Sequence, residues 1–222
     1  MMALQLMEAI MFNVPTITCE MFQKQVEVAY EEEKERLYIQ QRVNEKFTDQ
    51  EQSILWLCMN DKNTDYIHEL LNPIVRKHLT STVPPLFRGI SLLEANKIYD
   101  LAEGETFTLN RVTSFSSDFS TAKQFASKWH YDSQIVFRIK NCPYAFNYQE
   151  EMIQILLAAP DEEFMGQMDI KEQREDKLDM VQGECEFMLP SEATFRICGS
   201  QAVKDYGVET VYTIIDLELI EW

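Results

Sequence analysis

Val83-Pro84-Pro85 divides the chain into two stretches of different periodicity, and that division limits the fold more than any other feature. Two consecutive prolines remove two backbone donors and bias the residues before them away from the helical region, so no helix runs through them. Upstream, from Thr18 to about Thr80, the pattern is helical. Phe22, Val26, Ala29 and Leu37 fall near one face, while Glu31-Glu32-Glu33-Lys34-Glu35-Arg36 supplies a solvated one. Thr48-Asp49-Gln50-Glu51 has capping-box spacing, and Asn72-Pro73 predicts another cap with proline in the first turn. Downstream, short β-like runs cover Leu86 to Arg88, Glu105 to Leu109, Arg111 to Ser116, Gln134 to Lys140, Glu184 to Leu189, Thr194 to Cys198 and Glu209 to Leu219. Helices are predicted between them: from the Ser91-x-x-Glu94 cap through Tyr99, from Ser120 through Trp129, and from Gln149 to Ala159. The polar stretch Asp161 to Asp179, around Gly166, reads as a long mobile loop. The pattern predicts an α+β fold in which a helical lobe, residues 1–82, packs on a β-rich core, residues 83–222.

Twenty Lys and Arg against thirty-seven Asp and Glu give a formal charge of −17, which repels nucleic acid and favours basic protein partners. An acidic surface also serves solubility alone. Cys19, Cys58, Cys142, Cys185 and Cys198 contain no C-x-x-C pair, which points to a reducing compartment rather than a disulfide framework. Met1 to Val14 is apolar but has no basic start, and no later apolar run reaches bilayer length, so neither secretion nor membrane insertion is expected. His68, His78 and His130 have no cysteine or carboxylate at ligand spacing, and no metal is expected.

With six glycines and neither G-x-G-x-x-G nor a P-loop, the chain has no glycine cradle for phosphates. Arg88, at the end of an apolar strand, offers a guanidinium fork for them; the same residue is also an ordinary strand-end ion-pair former. Along Thr113-Ser114-Phe115-Ser116-Ser117, alternation puts Ser114 and Ser116 on one face and Phe115 on the other, so the hydroxyls could fix a neighbouring carboxylate. In one strand, Glu184 and Glu186 would share a side roughly 6 to 7 Å apart. Paired anions suit a reaction that develops a cationic sugar and must take a proton from a guanidinium; they equally occur on solvated strand faces.

Phe87-Arg88-Gly89, the serine strand with Phe125-Ala126 after it, and Glu184-Cys185-Glu186-Phe187-Met188-Leu189-Pro190 fall in an order that resembles the arginine, serine, glutamate signature of the mono-ADP-ribosyltransferases. With the Ser191 to Ile197 continuation and the Asn44 to Leu79 helical segment, the chain is most similar to the small Mod-type transferases of T-even tailed phages, from about Lys46 to the C-terminus. The resemblance implies an ADP-ribosyltransferase-like fold with two mainly antiparallel sheets, one catalytic domain over residues 1–222, and NAD as substrate without a metal. It implies that Arg88 contacts an NAD phosphate or the nicotinamide ribose, that Ser114 holds Glu186, and that Ser116 lies beside it at the NAD site. Glu186 would bind the ribose 2′-hydroxyl and stabilise the cation, Glu184 would orient and deprotonate a target arginine, and Phe125 would stack on nicotinamide. Host proteins of transcription or translation, such as RNA polymerase or ribosome-associated proteins, would be the targets, in the cytoplasm of the infected bacterium. Phe115 stands where many relatives have Thr, and no exposed aromatic precedes Glu184 of the kind toxin relatives use for docking. NAD hydrolysis with water as acceptor, and a silent acidic module that binds a basic partner, are the alternatives.

Overall fold

Side-chain caps and one long helix organise the first part of the chain. The computed structural model describes residues 19–60, 65–98, 100–129, 134–164, 170–204 and 211–222. Helix α1, Cys19–Lys46, has 28 residues, about 42 Å at 1.5 Å per residue. It outruns the 11-residue helix α6, Tyr148–Ala158, against which it packs. The expected Phe22, Val26, Ala29 and Leu37 stripe is therefore not a core face. Val26 and Leu37 are exposed with Val28, Tyr30 and Tyr38, and burial begins only near Val43; the Phe22 side chain lies outside the described residues.

Helix α2, Asp49–Asn60, starts at the expected capping box: Thr48 Oγ1 accepts the Glu51 N–H at 3.2 Å, and the Thr48 N–H donates to Glu51 Oε2 at 2.8 Å. Asn72-Pro73 is not a second cap. Both residues lie inside α3, Asp65–Lys77, where burial of Ile67, Leu71, Ile74 and Val75 outweighs the donor that proline lacks. The Asn72 side chain instead reaches the core, accepting the Ser191 N–H at 2.9 Å and donating to Glu192.

Beyond the prolines come β1, Leu86–Gly89; α4, Leu92–Ile98; β2, Thr106–Thr108; β3, Thr113–Ser116; α5, Phe119–Trp129; and β4, Gln134–Ile139. After α6 follow a short 3₁₀ turn, Asp161–Phe164, then α7, Ile170–Glu184, β5, Glu186–Leu189, β6, Thr194–Lys204, and β7, Val211–Glu221. Helix α5 begins one residue before the expected Ser120, because its cap is Asp118, whose carboxylate takes the Thr121 N–H at 2.9 Å. Of the expected loop from Asp161 to Asp179, the described residues are helical, as the 3₁₀ turn and the start of α7, while residues 165–169, with Gly166, lie outside the described residues. Arg174, Leu178 and Val181 recur at helical spacing; Val181 is buried, and the Arg174 guanidinium lies 4.5 Å from the Phe164 ring centroid.

The α+β expectation holds. The strands run in the order β2-β6-β7-β4-β1-β3-β5, antiparallel except for the β4–β7 pair. Between β1 and β3 the ladder has one register pair, Phe87↔Ser116, so where two sheets were expected, five strands and the β3–β5 pair are joined at that point into one seven-stranded sheet. Strand β5 alternates about its sheet: Phe187 and Leu189 join the sheet core with Phe115, Phe137 and Phe195, while Met188 joins the core formed with the helical lobe. By the same alternation Glu186 stands on the lobe side.

Candidate active site

The hinge between β1 and β3 is where the arginine sits. A continued ladder would set Gly89 opposite Ser114. Instead the Arg88 side chain fills the split and donates from Nη1 to the Ser114 carbonyl at 2.7 Å. Gly89 lets helix α5 close over the same place: a Cβ there would lie 2.2 Å from the Ala122 carbonyl oxygen and 2.3 Å from the Ala126 nitrogen. Helix α5 carries Phe125, whose side of the helix leaves it 36% exposed.

Arg88 is also held from its far side. Nη2 donates to Glu94 Oε1 at 2.8 Å, and Arg111 Nη2 donates to the same oxygen at 2.7 Å. Glu94 Oε2 accepts from the Ser91 backbone N–H, which is the capping box anticipated for α4. Burial alone would raise the Glu94 pKa, but Arg88, the Ser91 N–H and Arg111 overcome it and hold the carboxyl at about 2.

The paired glutamates are not in one strand. Glu184 is the last residue of α7, Cys185 takes the left-handed conformation at φ 48°, and Glu186 opens β5. A helix end leaves carbonyls without partners, and here side chains from other elements supply them. Gln149 donates to the Gln182 carbonyl at 3.2 Å, Thr121 to that of Gly183 at 3.1 Å, and Ser116 Oγ to that of Glu184 at 2.7 Å. The Ser117 N–H donates to the Cys185 carbonyl at 2.9 Å. Ser116 thus fixes the backbone of the glutamate turn. Ser114, the diagonal neighbour of Glu186 across the β3–β5 ladder, is the hydroxyl that acts on its carboxyl, favouring the charged form.

Glu186 is half-buried at the start of β5. Burial pushes its pKa up to about 7; Ser114 opposes that shift, Glu184 reinforces it, and Arg88 opposes it. Two further groups reach the same field. The Cys58 thiol is pushed up to about 12 by burial and then by Glu186, and the Tyr148 phenol, which donates to the Leu55 carbonyl at 3.2 Å, is raised by burial and by its neighbours Cys58, Glu186 and Glu184. From α3, His68 is held low by burial and by Arg111, with Arg88 adding to the effect against Asp65.

Arg88, Ser114, Glu184 and Glu186, far apart in sequence, thus share one electrostatic site, with Ser116 supporting its backbone. Sequence reasoning missed Glu94 and Arg111. Glu94 was accounted for by its cap, and Arg111 carried no motif; the signal was the Ser91-x-x-Glu94 box lying only three residues beyond Arg88. Among the described residues no group of three or more His, Cys, Asp or Glu could hold a metal ion.

The family model described as bacteriophage T4 Mod ADP-ribosyltransferase matches residues 24–220. The chain is 36% identical over 184 residues to the NAD–protein ADP-ribosyltransferase modB of Enterobacteria phage T4, covering 81% of this chain and 87% of that protein. To modA of the same phage it is 31% identical over 176 residues, covering 78% and 82%. Among solved structures, Plx2a, an ADP-ribosyltransferase toxin from Paenibacillus larvae, superposes with a TM-score of 0.51 at 11% identity, covering 86% of this chain and 96% of that one, a likeness of fold. The family match across residues 24–220 and the identity to both phage proteins over most of their length show that the chain belongs to the bacteriophage T4 Mod ADP-ribosyltransferase family.

Proposed function

We propose that this protein cleaves NAD between nicotinamide and ribose and transfers the ADP-ribose to arginine side chains of host proteins. The observation that carries the reading is the setting of Glu186: a half-buried carboxyl diagonal to Ser114 across the β3–β5 ladder, with Glu184 and Arg88 in its field. Departure of nicotinamide, a neutral leaving group, needs no acid but leaves positive charge on the ribose, and a preorganised anion stabilises that charge. Glu186 is that anion, bonded to the ribose 2′-hydroxyl. Arg88 meets the phosphates or the nicotinamide ribose, Ser116 keeps the turn in register beside the NAD, and Phe125, partly exposed on α5, stacks on nicotinamide.

A guanidinium is protonated at any ordinary pH and attacks only as it loses a proton. Glu184, at the end of α7 and within the field of Glu186, takes that proton while the new bond forms between guanidine nitrogen and ribose carbon. The helical lobe and the β-rich core act as one catalytic unit, since the lobe residue Cys58 and the core residue Tyr148 both lie in the field of the glutamates. No helix among the described residues is long and apolar enough to cross a membrane. Proteins of the transcription or translation machinery in the infected cell's cytoplasm are the proposed targets.

Incubating the protein with labelled NAD and a bacterial lysate tests this. Labelled protein bands with ADP-ribose mapped to arginine support transfer, whereas free ADP-ribose without labelled protein supports hydrolysis instead.

A further inference from the structure

Glu94 and Arg111 have no part in the mechanism above, yet they enclose Arg88. Two guanidiniums repel each other, and the Glu94 oxygen shared between Arg88 at 2.8 Å and Arg111 at 2.7 Å holds them side by side. The carboxylate is fixed in turn, because its second oxygen takes the Ser91 backbone N–H at 3.1 Å and hydroxyl at 3.2 Å. The trio keeps a net positive charge within a chain of charge −17. Two features show that it has capacity left. Arg88 Nε is buried with no acceptor, which a protein interior tolerates poorly unless a ligand supplies one. Arg111 spends Nη2 on Glu94 and is 31% exposed, leaving most of its five donors for solvent or a ligand. Adjacent guanidiniums, one buried and one half-open, match a pair of linked phosphoryl groups.

We propose that Glu94 is a positioning residue that sets Arg88 and Arg111 as a paired clamp for the pyrophosphate of NAD, with Arg111 as a second phosphate-contacting residue. The inference rests on the NAD-cleaving reading and adds Arg111 and Glu94 to it. The capping box of α4 fixes the carboxylate, the carboxylate fixes both guanidiniums, and the order of the clamp is complete before the nucleotide arrives.

The test is steady-state NAD cleavage with competitive inhibition by ADP and, separately, by nicotinamide, in the wild type and in the Arg111→Gln, Arg111→Lys and Glu94→Gln variants. Loss of a charge-assisted contact predicts that Arg111→Gln raises the NAD KM and the ADP inhibition constant by about tenfold or more, at nearly unchanged kcat. Inhibition by nicotinamide, which has no phosphate, stays the same. Arg111→Lys recovers part of the loss, and Glu94→Gln shows the same phosphate-selective pattern with both arginines present. A purely structural role for Glu94 would weaken ADP and nicotinamide together. Unchanged ADP inhibition in Arg111→Gln, or equal losses for both inhibitors, overturns the clamp while wild-type turnover leaves the transferase reading intact. Should Glu94→Gln fail to fold by near-UV circular dichroism, the half-exposed Arg111 variants decide the question. Absence of NAD cleavage by the wild type overturns the transferase reading itself.

Discussion

Burial holds the Glu186 pKa at about 7, so near neutral pH its carboxyl is divided between charged and neutral forms. In the proposed mechanism the anion is the working form, so kcat/KM for NAD is expected to rise with pH through about 7, a profile read on the free enzyme. Glu184 contributes to the raised value, so Glu184→Gln moves that midpoint to lower pH. Stability has the opposite sign. A carboxyl with a raised folded pKa binds its proton more firmly folded than unfolded, so stability falls as pH rises from the unfolded value of 4.5 to about 7. Glu186→Gln removes this dependence and is expected to raise Tm at pH 8 more than at pH 5, by about 2 to 4 °C for each kcal/mol relieved. Glu94 runs the other way: its contribution is present above 4.5 and lost as pH falls through about 2. At this scale the sequence made Arg88, Ser114 and Glu186 legible because each lies in a motif. Arg111 was not legible, because its importance is a shared oxygen on a residue seventeen positions earlier, and no local pattern encodes that.

Between β1 and α5 the fit is set by one missing methyl group. Placing Ala at Gly89 would press a Cβ into two backbone atoms of α5, and backbone yields less than a side chain end. Gly89→Ala should cost about 3 kcal/mol or more, a drop in Tm of roughly 6 to 12 °C by thermal melt. The turn at Cys185 is the second element-scale feature. Left-handed backbone at a helix end ordinarily takes glycine, but Cys185 occupies it and donates from Sγ to the Gln182 carbonyl at 3.0 Å. The absence of glycine there is why Glu184 to Leu189 read as one strand, when in fact a helix, a turned residue and a strand supply the two acids. Helix α7 was concealed by its charge: apolar positions such as Leu178 and Val181 were too sparse to stand out of the Asp161 to Asp179 stretch. Helices with local caps, at Thr48 and Ser91, were read correctly from their spacing.

For the molecule as a whole, the lobe and the β-rich part share one apolar core, and polar contacts add to it. Met188 of β5 and Val112, the residue before β3, enter that core, and Asn72 ties α3 to the turn after β5. Asn72→Ala strands the Ser191 N–H and loses the Glu192 contact, which should destabilise by about 1 to 3 kcal/mol, measurable by urea unfolding. The −17 charge acts at longer range. Added salt should slow transfer to basic proteins while leaving NAD hydrolysis nearly unchanged, since screening weakens encounter between large charged surfaces most. The α+β class and the change from helical lobe to sheet could be read from Val83-Pro84-Pro85 and the periodicity around it. The hinge between β1 and β3 could not, because a ladder reduced to one pair leaves no trace in alternation.

The division of labour between the two glutamates is tested most directly by measuring NAD cleavage and transfer to a small guanidine side by side in Glu184→Ala and Glu186→Ala. The account predicts that Glu186→Ala lowers both by about 10²-fold or more, and that Glu184→Ala abolishes transfer while sparing measurable cleavage. Equal loss of cleavage and transfer in Glu184→Ala, or full NAD cleavage in Glu186→Ala, would contradict it.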